Sequence, residues 1–179
     1  FSDPVVKSSG FNGGLTGRNS MGLTDAKYYF LERFFWDQRA PILEDQIVMP
    51  IQDAVEMGMT LPALEIKLRN LPYYPPLFKK AFGDTIVTSD RIARAVSQFI
   101  RSIISYKSKY DAGRIAFPAN PGPPPNAPFA NFTAQENRGK EIFLSPIGGC
   151  NPCHGTEAFT APAEKNNGID LTTIDRGFG

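Results

Sequence analysis

Cys150-Asn151-Pro152-Cys153-His154 gathers into one short stretch the chain's only two cysteines and its only histidine. The spacing, C-x-x-C-H, is the attachment pattern of a c-type haem. Two thiols add across the porphyrin vinyl groups, and the adjoining imidazole then reaches the iron as proximal ligand. His154 alone can supply that imidazole, because no other histidine exists in the chain. Other chemistries fit less well. A structural zinc site wants four ligands, and Cys150, Cys153 and His154 fall short of that. A thioredoxin-like dithiol wants a strand before it, and none is readable here. A plain disulfide leaves His154 without a role. A helix through Gly139 and Phe143 leads into the motif.

Composition narrows the setting. With 41% hydrophobic and 21% charged residues among 179, the chain is globular and long enough for one ordinary domain or two small ones. The net charge of +1 and the lack of any basic run beyond pairs such as Lys79–Lys80 argue against a nucleic-acid partner. No apolar run approaches the ~20 residues that span a bilayer. Phe1-Ser2-Asp3-Pro4 shows neither a charged n-region nor an apolar h-region, and the last residues, Asp175 to Gly179, bring no closing helix. The chain is therefore expected to be part of a longer polypeptide, with any signal peptide outside it.

The pattern is mainly α with long irregular loops. Residues 1–19, rich in Gly, Ser and Asn, read as loop. The aromatic run from Tyr28 to Trp36 is expected to be largely buried. Pro41 opens a helix through Leu43, Ile47 and Val48, with Glu44 and Asp45 in its first turn and Pro50 at its end. Thr60 caps a second, with Pro62 in the first turn and Leu61, Leu64 and Leu68 on one face. A third, around Pro76 to Phe82, is closed by Gly83. The longest is expected from Ser89 to Tyr106, with Ile92, Val96, Phe99, Ile100, Ile103 and Ile104 at helical period. That stripe reads as core and carries no chemistry. Pro118, Pro121, Pro123, Pro124, Pro125 and Pro128 then forbid regular structure, so 113–132 reads as a stiff linker or loop. Thr133-Ala-Gln-Glu136 is a capping box that starts the helix before the cysteine motif.

Several separate stretches, in order, resemble the bacterial diheme cytochrome c peroxidases and their MauG-type relatives. They are Gly17-Arg18-Asn19-Ser20, Phe34-Phe35-Trp36-Asp37-Gln38-Arg39-Ala40, Leu43-Glu44-Asp45-Gln46 and Pro50-Ile51…Glu56-Met57-Gly58. Ser108-Lys109-Tyr110-Asp111 and Asn166-Asn167-Gly168 follow. The resemblance spans the chain but only the middle of the family's full length. It implies cytochrome c-like helical domains: 1–112 as the C-terminal part of the peroxidatic domain with inter-domain helices, and 133–179 as the start of the electron-accepting domain. Cys150, Cys153 and His154 then correspond to the electron-accepting haem. Trp36 corresponds to a tryptophan lying between the two haems. Gln46 and Glu56 correspond to the pair over the peroxidatic haem, and Asn19 to a ligand of a calcium ion.

Chemistry agrees with those roles. Heterolytic cleavage of hydrogen peroxide needs a proton moved from one oxygen to the other, a general acid/base task that a carboxyl such as Glu56 can perform. The neutral amide of Gln46 can hydrogen-bond peroxide without adding charge. Taken singly, Trp36 would be core, Glu56 a surface carboxylate and Gln46 a helix polar residue. The family implies a periplasmic enzyme, a possible homodimer, that reduces hydrogen peroxide with electrons from a small cytochrome c or cupredoxin. Two alternatives stand beside it: a MauG-like protein-modifying oxidase, and a monohaem electron carrier in which Gln46 and Glu56 face solvent.

The chain departs from the family in three places. The peroxidatic haem's own C-x-x-C-H is absent, so that haem is expected to be anchored upstream. Met21, Met49, Met57 and Met59 all precede the motif and read as core packing rather than as axial ligands. Where many members carry a histidine that plugs the peroxidatic haem, this chain has Phe11-Asn12-Gly13-Gly14. The peroxidatic iron is therefore expected to be open without reductive activation.

Overall fold

The computed structural model describes residues 3–29, 31–117 and 126–160. Residues 118–125 of the proline-rich stretch and Asn166-Asn167-Gly168 lie outside them. The described residues contain helices and turns but no strand; only isolated bridges, Ser9 with Leu15 and Phe34 with Ala40, pair extended backbone. No helix among them is long and apolar enough to cross a membrane. They divide into two compact units: 3–24 with 32–103, and 25–29, 31 and 104–160.

In the first unit, α1 spans Leu43–Gln52, α2 Leu61–Asn70, α3 Tyr74–Phe82 and α4 Ser89–Ser102. Thr60 caps α2 by accepting the Ala63 N–H, and Thr88 caps α4 by accepting that of Arg91, each cap contributing about 1 kcal/mol. Gly83, at φ 92°, closes α3 in the left-handed region that a side chain disfavours. Phe78, Val87 and Ile92 form a core against Leu64, Leu68, Tyr74 and Phe82. Helix α1 packs on α4, and Glu44 of α1 holds Arg101 of α4 in a bidentate pair at 2.5 and 3.0 Å.

The structure corrects several sequence expectations. Pro50 lies inside α1 rather than ending it. The ring removes one N–H donor in the last turn, yet the helix still closes through Asp53 N–H on the Met49 carbonyl, 3.0 Å. Helix α3 begins two residues before Pro76, because proline is well placed in a first turn. Helix α4 stops at Ser102 rather than at Tyr106, with Ile103 outside helical geometry. Its buried face is Ile92, Ala93, Ser97 and Ile100, leaving Phe99 66% exposed; Ile92 and Ile100 of the stripe are buried together with the small Ala93 and Ser97, whereas Val96 and Phe99 are not. Of the described aromatic run only Phe34 is buried, and Trp36 is 56% exposed. Positive φ at Glu32 and Phe35 turns that backbone twice, so successive rings do not share one face. Met57 is exposed rather than in the core.

In the second unit, α5 spans Lys109–Arg114, α6 Ala134–Leu144 and the single turn α7 Asn151–His154. Capping boxes start both α5, at Ser108/Asp111, and α6, at Thr133/Glu136. Phe129, within the segment read as linker, is almost wholly buried; burial of a Phe side chain stabilises by roughly 2–3 kcal/mol. It packs on Tyr110, Phe117 and Phe132 at centroid distances of 5.2–5.4 Å.

Candidate functional site

The Thr133/Glu136 capping box fixes where α6 begins. Glu136, Gly139, Lys140 and Phe143 recur at helical spacing and line a cavity of about 610 Å³ with Tyr110, Phe132, Leu144, His154 and Phe159. The walls are mostly ring and aliphatic carbon. At Gly139 an added methyl would meet nothing within 4 Å, so the helix backbone there leaves room for a flat group to approach.

His154 closes α7, whose turn is made by the Cys153 and His154 N–H groups donating to the Cys150 carbonyl at 3.1 and 3.0 Å. The imidazole Nδ1 lies 2.8 Å from the Phe159 carbonyl oxygen. A carbonyl only accepts, so Nδ1 carries the proton and Nε2 is left with its lone pair, the state of a metal-ligating imidazole. Cys150 and Cys153 are unbridged and half-buried. No group of three or more His, Cys, Asp or Glu side chains among the described residues is arranged to hold a metal ion directly. Two thiols three residues apart, an imidazole fixed in the required tautomer and a mostly apolar cavity whose helix wall is bare at Gly139 fit a covalently bound haem.

Around that cavity Tyr110 meets Phe159 edge-on at 5.0 Å, and Phe159 meets Phe143 at 5.7 Å. Burial, with the Glu157 charge nearby, pushes the Tyr110 phenol up to about 12. The Lys140 ammonium donates to the Ala127 carbonyl at 2.9 Å and sits 4.4 Å from the Phe129 ring centroid. Burial pushes its pKa down.

The first unit carries a separate cavity of about 330 Å³ lined by Arg39, Met49, Pro50, Gln52, Asp53 and Glu56. Burial, and then the like charge of Asp53, raise the Glu56 carboxyl above its ordinary 4.5, against a smaller opposing effect of Arg39. Asp53 Oδ1 accepts the Val55 and Glu56 N–H groups at 2.8 and 3.0 Å, so it also shapes the turn carrying Glu56. Gln46 is half-buried on α1 with its amide nitrogen 3.9 Å from Met21 Sδ. It is not among the residues lining the Glu56 cavity.

Trp36 and Asn19 are brought together: the indole N–H donates to the Asn19 carbonyl at 2.9 Å. The Asn19 amide donates in turn to the carbonyls of Asp3 and Val5. Beside them Arg18 and Arg39 both pair with Asp37, at 2.6 and 2.9 Å. Burial raises the Asp37 carboxyl, but its bonds to Arg39 and Arg18 outweigh that and hold it low. The Arg39 guanidinium also stacks 3.6 Å from the Phe35 ring centroid.

Comparison with known proteins decides the family. Residues 1–114 match the family described as di-haem cytochrome c peroxidase. The chain belongs to that family. Among relatives, the methylamine utilization protein MauG of Methylorubrum extorquens is 31% identical over 71% of this chain and 33% of its own length. Cytochrome c551 peroxidase of Nitrosomonas europaea is 40% identical over 43% of the chain and 23% of its own length. That of Pseudomonas aeruginosa is 29% identical over 85% of the chain and 40% of its own length. The chain thus spans well under half of these relatives. A crystal structure of a MauG-like protein associated with microbial copper homeostasis shares the fold, at TM-score 0.68 and 22% identity over 91% of the chain and 46% of that structure. A mainly helical member of a di-haem peroxidase family is what the motifs led one to expect.

Sequence reasoning did not single out Arg39 or Asp53 as neighbours of Glu56, although both stand in or beside the quoted family stretches. Nor did it single out Phe159, whose carbonyl sets the His154 tautomer. A backbone acceptor leaves no mark in residue type, so only the fold could reveal it.

Proposed function

We propose that the protein containing this chain reduces hydrogen peroxide to water with electrons from a small periplasmic cytochrome c or cupredoxin. One observation carries the reading: Glu56 lines a cavity with Arg39 and Asp53, with its carboxyl raised above the ordinary range. A monohaem electron carrier has no use for such a group. Haem, when bound, supplies the redox chemistry. Cys150 and Cys153 would anchor it and His154 would ligate its iron through Nε2, with the electrons from the donor entering there. Trp36 would serve as the aromatic relay to the peroxidatic haem. At that haem Glu56 would take a proton from one peroxide oxygen and return it to the other, with Gln46 as a neutral hydrogen-bond partner. Asn19 would lend an oxygen to a calcium ion.

The test is turnover of hydrogen peroxide by the full-length, haem-loaded protein with a reduced small cytochrome c. Glu56→Ala should abolish turnover while the haem on His154 remains reducible; undiminished turnover would remove Glu56 from the reaction. A MauG-like oxidation of a protein side chain is the second reading, favoured by the likeness to MauG. Spectra of the fully oxidised protein test the open peroxidatic iron, which a low-spin bis-histidine signal would contradict.

A further inference from the structure

We propose that the Phe11 turn is a positioning element for Glu56, gripping the backbone on which that carboxylate stands. The proposal rests on reading Glu56 as the proton-transfer group.

Residues 8–16 close on themselves. The Gly10 N–H donates to the Gly14 carbonyl at 2.8 Å, Gly13 N–H to Gly10 at 3.0 Å and Thr16 N–H to Ser8 at 3.0 Å. Asn12 Oδ1 accepts the Gly14 N–H at 3.0 Å, an Asx turn that needs no outside partner. The Glu56 segment is equally self-contained: the Asp53 carbonyl accepts the Met57 and Gly58 N–H groups at 3.2 and 2.7 Å.

The two turns then interlock through backbone. Phe11 N–H donates to the Glu56 carbonyl at 3.1 Å, while Asp53 Oδ1 holds the Glu56 N–H. The backbone N–H and C=O of Glu56 are therefore both held, one by each turn, which fixes the direction of its Cα–Cβ bond. The approach is so close that a methyl on Gly10 would overlap the Val55 carbonyl, and one on Gly58 would overlap the Phe11 ring. Gly58 also sits at φ 57°, where side chains are disfavoured. Phe11 itself is 67% exposed, so its ring covers Gly58 rather than filling a core.

Residues 8–16 contain no titratable side chain. The charged groups that act on Glu56 are Asp53 and Arg39, and both lie on the other side of the interlock. The Phe11 turn can thus influence Glu56 only through position and solvent access.

The experiment measures kcat/KM for hydrogen peroxide against pH in the full-length, haem-loaded protein. Gly10→Ala should lower kcat/KM by roughly tenfold or more, since displacements of about 1 Å have such effects. It should also move the acid limb to lower pH, as the carboxyl becomes better hydrated. Gly13→Asn, in the same turn but facing open space, should leave rate and limb as in the parent. Glu56→Gln is the reference. If it removes the acid limb while Gly10→Ala keeps the parent's rate and limb, the positioning role is wrong. If Glu56→Gln changes neither, the proton-transfer reading itself has failed. Should Gly10→Ala not load haem, Phe11→Pro decides, because proline suits the second position of the Gly10–Gly13 turn and removes the N–H that the Glu56 carbonyl accepts: a shifted limb supports the interlock, and an unshifted one overturns it.

Discussion

The indole N–H of Trp36 donates to the backbone carbonyl of Asn19 at 2.9 Å, so the proposed electron relay and the proposed calcium ligand are mechanically one piece. Trp36 is more than half exposed and follows a residue at positive φ, Phe35 at 71°. Hydrophobic burial therefore does little to orient the ring, and the hydrogen bond does more. The Arg18–Asp37 pair ties the residues on either side.

Trp36→Phe should accordingly separate structure from electron passage. Loss of one partly exposed hydrogen bond should lower stability by about 1 kcal/mol or less. Electron passage between the haems of the full-length protein should slow by about tenfold or more, equivalent to ~1.4 kcal/mol of barrier. Stopped-flow reduction reads the second quantity and thermal unfolding the first. A large stability loss with unaltered electron passage would make Trp36 a packing residue.

The raised Glu56 carboxyl gives a pH signature. Its role begins with accepting a proton, so activity should fall as pH drops through its pKa, and the fall should begin above the ordinary 4.5. Asp53→Asn removes the like charge but keeps an oxygen for the turn N–H groups, and should move the acid limb down. Arg39→Gln removes the opposing positive charge and should move it up. Limbs that move together, or not at all, would show that the observed pKa belongs to another group.

Helices α2, α3 and α6 were legible because their signals are local. Thr60 and Thr133 bond residues three positions on, and Gly83 closes α3 by its own φ. What the sequence hid was long-range or written in backbone. The α4 stripe looked apolar through Val96 and Phe99, yet the buried contact runs through Ala93 and Ser97, because only the partner helix decides which face is covered. The aromatic run to Trp36 suggested burial, but two left-handed residues, Glu32 and Phe35, turn its side chains apart. The cysteine motif was plain, whereas the cavity beside His154 depends on rings drawn from Tyr110 to Phe159. Glu56 was named from a family stretch, and its cavity partners Arg39 and Asp53 emerged only with the fold.

The start of α6 should be acid-sensitive. Glu136 accepts from Lys109 at 2.6 and 2.7 Å and from the Thr133 N–H at 2.7 Å, which lowers its carboxyl to about 2 from 4.5. A depressed carboxylate stabilises the fold fully above its unfolded value. That contribution therefore fades as pH falls from 4.5 to about 2. Glu136→Gln should flatten the loss of stability across this window, and Thr133→Ala should destabilise by about 1 kcal/mol at neutral pH. Urea unfolding at several pH values measures both, and equal slopes for Glu136→Gln and parent would contradict the first.

Gly139 offers the sharpest separation of stability from haem binding. It stands mid-helix in α6, on the wall of the His154 cavity, with open space where a side chain would go. Glycine there weakens the helix, so Gly139→Leu should stabilise the haem-free chain by up to about 1 kcal/mol. The new side chain would also cover part of the Phe143–Phe159 surface, adding to that gain. The same side chain would occupy the space a porphyrin needs beside His154, so haem attachment during maturation should drop. Intact mass and the haem absorption spectrum read attachment; thermal unfolding of protein made without the attachment machinery reads stability. Opposite changes in the two quantities are expected only if the glycine is kept for the group that fills the cavity. Full attachment in the leucine form would mean that the porphyrin lies elsewhere.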